Sequence, residues 1–124
     1  MHTDEEKLNK VTEQIIGCAF KVANTLGSGF AEKMYENAMA HELKKSGLEV
    51  RQQWPISVVY DGIIVGEYVA DLFVEATVLV ELKAVRGIDD AHMAQCLNYL
   101  SATGVTICLL INFGKRVEVQ RYRK

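Results

Sequence analysis

Long apolar runs, paired cysteines, proline and surplus positive charge are all scarce in this chain of 124 residues. No segment reaches the length of a bilayer span, so a membrane role is not expected. Cys18, Cys96 and Cys108 are odd in number, widely spaced and contain no CxxC pair. They fall in predicted core elements and read as buried, reduced thiols rather than a disulfide framework. No two histidines have zinc-ligand spacing; His2 and His41 are expected at the surface. The net charge of −2 argues against a surface given over wholly to nucleic acid. The opening Met1-His2-Thr3-Asp4-Glu5-Glu6-Lys7 is charged where a secretory leader would be apolar. These absences set the expected location as cytoplasmic.

What is present suffices for a core. Apolar residues make up 49% of the chain, and residues 1–124 fit a single domain. Thr3 or Asp4 can cap a first helix running to about Leu26, with Gly27 ending it. Its buried face is marked by Leu8, Val11, Ile15, Ala19, Val22 and Leu26, at spacings of three and four. A second helix follows from about Ala31 to Lys45, with Ala31, Tyr35, Met39 and Leu43 in one row. Strands are predicted over Val50–Tyr60, Ile63–Val74 and Val78–Ala84. Pro55 puts the first at an edge or a bulge, and Asp61-Gly62 signals a tight hairpin. Asp89 or Asp90 caps a third helix to about Thr103. Val105–Asn112 is nearly all apolar, as in a strand covered on both faces, and Val117–Tyr122 is a last strand. The strand–helix–strand unit should make a crossover with parallel strands. The expected fold is therefore α/β with a mixed sheet.

Chemistry concentrates between Asp71 and Lys83. Residues two apart in a strand share a face, so Glu81 and Lys83 lie together while Val78, Val80 and Leu82 take the other side. A three-residue turn at Glu75–Thr77 puts Asp71 opposite Glu81; a two-residue turn moves it to the other face. Two carboxylates and an ammonium on an otherwise apolar sheet are costly unless something uses them. The acidic-x-Lys string itself is common: it also occurs at Glu5-Glu6-Lys7 and Glu42-Leu43-Lys44. The copy at Glu42 sits in a predicted helix, where two residues diverge by roughly 200°. Context, not spelling, singles out the third copy.

Four ordered motifs then carry a resemblance. Gly29-Phe30-Ala31-Glu32-Lys33-Met34-Tyr35 is a GxxExxY signature. Asp71 with Glu81-Leu82-Lys83, Gln95 with Tyr99, and Leu109-Leu110-Ile111-Asn112-Phe113-Gly114 complete the set. The chain resembles the GxxExxY protein family, which is itself similar to the PD-(D/E)xK nuclease superfamily and its QxxxY branch. One departure is Ala70, where a proline often precedes the first acid.

The resemblance implies a core of helices, a three-stranded antiparallel meander, a crossover helix and a parallel strand. It implies a magnesium ion, replaceable by manganese, held by Asp71, Glu81, the Leu82 carbonyl and Glu32. Lys83 would stabilise charge at the scissile phosphate, and Gln95 would join the catalytic set. Tyr35, Tyr99 and His92 would meet the substrate, which is nucleic acid and expected to be DNA. Bland alternatives stand beside these roles. The acids and lysine form a structural cluster, Glu32 is a helix-start acid, Tyr35 and Tyr99 pack in the core, and Gln95 fills a polar gap. At the level of function, a metal-dependent DNA nuclease competes with a non-catalytic interaction module or regulatory subunit that keeps the fold. A homodimer is compatible with so small a domain, since two cuts need two sites. Arg51, Gln53 and Trp54 form a polar–aromatic patch open to nucleic acid or to edge packing. The basic tail of Lys115, Arg116, Arg121, Arg123 and Lys124 either contacts phosphates or keeps the last strand soluble.

Overall fold

The structure, a computed structural model, describes residues 3–124; His2 lies outside them. Its order is α1 (Asp4–Leu26), α2 (Glu32–Lys45), β1 (Val50–Tyr60), β2 (Ile63–Val74), β3 (Val78–Lys83), α3 (Asp90–Thr103), β4 (Ile107–Phe113) and β5 (Val117–Arg123). The five strands lie side by side in chain order. β3 and β4 are parallel, joined through α3, and the other neighbours are antiparallel.

Local signals account for the boundaries. The Thr3 hydroxyl accepts the Glu6 N–H at 3.1 Å and starts α1. Ala31 is the N-cap of α2 rather than its first residue. Asp61 and Gly62 have φ of 52° and 78°, the left-handed pair that a two-residue hairpin requires. β1 is an edge strand, with a bulge at Val58/Val59. β4 is buried along its whole length.

The sheet has a core on each face. Ile15, Ala19, Val22, Tyr35, Met39 and Leu43 of α1 and α2 pack on Leu72, Val80, Leu82 and Ile111. On the other face, Cys96, Tyr99 and Leu100 of α3 pack on Leu79, Cys108 and Leu110. The three cysteines are buried and free. The Cys108 thiol is pushed far above its usual range by its hydrogen bond to Cys96 and by burial, so it stays protonated. Among the described residues, no helix is long and apolar enough to cross a membrane.

Candidate active site

The β2–β3 turn takes three residues, since Val74 pairs with Val78 and Leu72 with Val80. Asp71 and Glu81 are next in that register, but the ladder stops one pair short of them. Side chains take over from the backbone there. The Leu82 N–H donates to Asp71 Oδ2 at 2.7 Å, and the Asp71 N–H points at Glu81 Oε1 at 3.4 Å. The strands thus part at the two acids, and each acid engages the other strand's main chain.

β1 deforms at the same level. Gln53 has φ of 54°, a strained conformation for a residue with a side chain. It breaks strand alternation, so Gln52 and Gln53 both reach Glu36 on α2, each at 2.7 Å. Gln53 Nε2 also lies 3.4 Å from Asp71 Oδ1, linking the two acids. This corrects the expected patch: Arg51 lies over Trp54, while Gln53 turns away to the acids. Glu36 is buried, and its charge is met by Lys33 at 2.9 Å. Sequence reading passed over it; the available signal was an acid beside the buried Tyr35, one turn beyond Glu32.

Electrostatics follow from this crowding. Burial raises the Glu81 carboxyl to about 7, with the charge of Asp71 adding to it and Lys83 opposing it. Burial likewise raises Asp71; the Leu82 N–H opposes this, while Glu36 and Glu32 reinforce it. Lys83 Nζ lies 3.5 Å from Glu81 Oε2. Glu32 is exposed on the first turn of α2 and acts on Asp71 through space alone.

The other expected site residues divide. Tyr99 is fully buried; its hydroxyl donates to the Val69 carbonyl at 3.1 Å and is in hydrogen-bonding reach of Glu81. Its burial matches the packing alternative. Tyr35 is placed likewise. It is fully buried and stacks on Phe113 with ring centroids 4.5 Å apart. Its hydroxyl donates to the Gly27 carbonyl at 2.6 Å and ties the α1–α2 turn. His92 is taken up in a capping box at the start of α3, accepting the Asp89 N–H at 3.2 Å. Gln95 is half-buried on α3, and its side chain makes no hydrogen bond among the described residues.

Asn112 is a further residue that shapes the site. It is fully buried, with Oδ1 accepting the Val85 N–H and Nδ2 donating to the Val85 carbonyl, both at 2.9 Å. One side chain thus continues the pairing of β3 past Lys83. A Cβ on Gly114 would come within 3.0 Å of that same Val85 carbonyl, which keeps the position free of a side chain.

The donor set suits a hard divalent cation. Two facing carboxylates whose protonation is favoured by crowding gain from positive charge, and magnesium needs few protein oxygens beside its waters. Among the described residues, no three His, Cys, Asp or Glu side chains gather into a larger ligand set. A cavity of about 540 Å³ near Leu8, Glu75, Thr77 and Gly104 lies at the far end of the hairpin and shares no residue with the acids.

Helix pair, antiparallel meander, crossover helix and parallel strand, in that order, form a PD-(D/E)XK-like architecture. The family model of the PD-(D/E)XK nuclease superfamily matches residues 9–123, and the chain belongs to that superfamily. An alkaline exonuclease, LHK-Exo from Laribacter hongkongensis, has a similar fold with a TM-score of 0.56. The two are 14% identical over 100% of this chain and 72% of that one. No curated protein matches the chain.

Proposed function

We propose that the chain is a magnesium-dependent DNA nuclease of the GxxExxY branch, acting in the cytoplasm as a single domain. The observation that carries this reading is the parted β2–β3 pair, where Asp71 and Glu81 face each other beside Lys83. Asp71, Glu81 and the Leu82 carbonyl would hold the ion, with Glu32 nearby; manganese should substitute. When bound, the ion supplies an acidified water and offsets charge on the phosphoryl oxygens. Lys83 places an ammonium where charge grows on the phosphate. Gln53 and Tyr99 hold Asp71 and Glu81 in position, and Gln95 on α3 is available to order a water or the strand. Ser28, Arg86 and Lys115 line a cleft of about 530 Å³ that adjoins the end of β3, a basic margin for a phosphate backbone.

The test is cleavage of a panel of duplex, single-stranded and branched DNA with and without magnesium. Asp71→Asn and Glu81→Gln should abolish metal binding and cleavage together. Lys83→Met should leave metal binding in place and lower the rate by about 10²–10³. A wild-type chain that cuts nothing, with metal binding unchanged in the two acid variants, would assign the fold to a non-catalytic module instead.

A further inference from the structure

Four non-glycine residues among those described have φ in the left-handed region: Gln53, Asp61, Glu75 and Ala76. The last three lie in the two hairpin turns, where reversal of the chain calls for it. Gln53 alone lies inside a strand. The ladder breaks beside it. β1 pairs with β2 through Gln52–Leu72 and Trp54–Ala70, and the pair between them, Gln53 with Asp71, is missing. On the other flank β3 joins β2 only over Leu72 to Val74. Asp71 therefore pairs with neither neighbouring strand, and its carboxylate is held at two points instead. The Leu82 N–H donates to Oδ2 at 2.7 Å, and Gln53 Nε2 lies 3.4 Å from Oδ1.

The strain at Gln53 serves Glu36, a buried acid with no role assigned above. Lys33 and Gln52 donate to its Oε2 at 2.9 and 2.7 Å, and Gln53 donates to its Oε1 at 2.7 Å. In a regular strand residues 52 and 53 would point to opposite faces, and Glu36 would lose one of the two amides. An apolar side chain at position 36 would need neither donor. A buried acid and a strained residue are thus two costs that packing alone does not require. We infer that Glu36 is a positioning residue of the metal site, fixing the Asp71 carboxylate through the Gln53 side-chain amide. That amide has two hydrogens, one for each acid. It sets their spacing and the tilt of Asp71, and leaves Asp71 its charge for the ion. The inference rests on Asp71 and Glu81 holding a metal, and adds an acid that touches neither ion nor substrate.

Calorimetric titration of the full chain with manganese tests it, with Asp71→Asn as the control that abolishes the heat of this site. Gln53→Met, equal in length but without donors, should weaken binding by about tenfold or more, and so should Glu36→Met. Because the two side chains act in series, the double variant should bind no worse than the poorer single one. Two losses that simply multiply would mean that Glu36 acts on the ion by charge through space, which overturns the proposal. Wild-type affinity in either single variant overturns it too. If the variants fail to fold, nitrogen–proton spectra of the wild type decide. On adding magnesium the Leu82 N–H should shift as the ion arrives, and the Gln53 side-chain amide should shift with it. A Gln53 amide that stays put while Leu82 moves overturns the inference and leaves the metal site standing. If neither moves and manganese gives no heat, the metal site falls and the inference with it.

Discussion

Glu81 is where burial and neighbouring charge bear hardest on one side chain. Its carboxyl titrates near 7 in the folded chain, against an ordinary value of 4.5. The folded state therefore holds a proton that the unfolded chain releases at lower pH, so stability falls as pH rises from 4.5 to 7 and levels off above. The loss from this group is up to about 3 kcal/mol. Glu81→Gln removes the charge and keeps the shape. Without added metal it should raise the melting temperature at pH 8 and flatten the pH profile between 5 and 8, measured by calorimetry. A profile unchanged by the substitution would mean that Glu81 is not held as the structure has it. The same crowding makes Lys83 a structural partner as well as a functional one, since its ammonium opposes the rise in both acids. Residue by residue, period-two alternation made Glu81 and Lys83 legible as neighbours, whereas Asp71 joined them only once the structure fixed the turn at three residues. Glu36 and Gln53 were not legible, because a single left-handed residue in β1 resets which side chains share a face. Tyr35 and Tyr99 were legible as members of motifs, but burial assigns them to support. Asn112 could have been found: an amide in an otherwise apolar central strand is expensive unless paired.

At the scale of elements, strand and helix boundaries followed from capping residues, glycines and apolar periodicity to within a residue at most ends. β3 stops at Lys83, short of the expected Ala84, because Asn112 replaces the backbone pairing there. The β2–β3 turn is where chain chemistry and geometry disagree. Glu75 and Ala76 have φ of 53° each, a region that disfavours residues with a Cβ. Ala76→Gly should relieve this and stabilise the fold by about 0.5–1 kcal/mol, the gain being reduced by glycine's freedom in the unfolded chain. Urea denaturation checks it, and a loss of stability would show that the turn relaxes to another form. The basic tail also divided by element. Arg123 makes two 2.6 Å bonds to Glu5, and Arg121 reaches Asn9 at 2.8 Å. These fasten β5 to α1, leaving Lys115 at the cleft beside β3.

At the scale of the whole molecule, metal and stability should be linked. An ion that binds the two acids only in the folded state stabilises it by ~2.7 kcal/mol at 100 times its Kd. Magnesium should therefore raise the melting temperature by several degrees, more at pH 8 than at pH 5, because protons compete for the same oxygens. A chelator should reverse the shift, and Asp71→Asn should abolish it. An equal shift in that variant would place the ion elsewhere. Fold class was readable from the sequence because a strand–helix–strand unit demands a crossover with parallel strands beside the antiparallel hairpin. The projection of the β1–β2 hairpin beyond β3 was not, since an exposed apolar strand and a buried one share the same spelling.

The side-by-side order of the strands bears on how the chain is made. Every strand lies beside the strand that precedes it in the chain, and only β4 reaches its place through a helix, so the meander of β1 to β3 can assemble while the ribosome still holds the rest. Until α3 and β4 emerge, the apolar far edge of β3 has no neighbour and can template the wrong one. The interval between Lys83 and Ile107 leaving the exit tunnel is thus when a nascent chain most needs protection from its own kind.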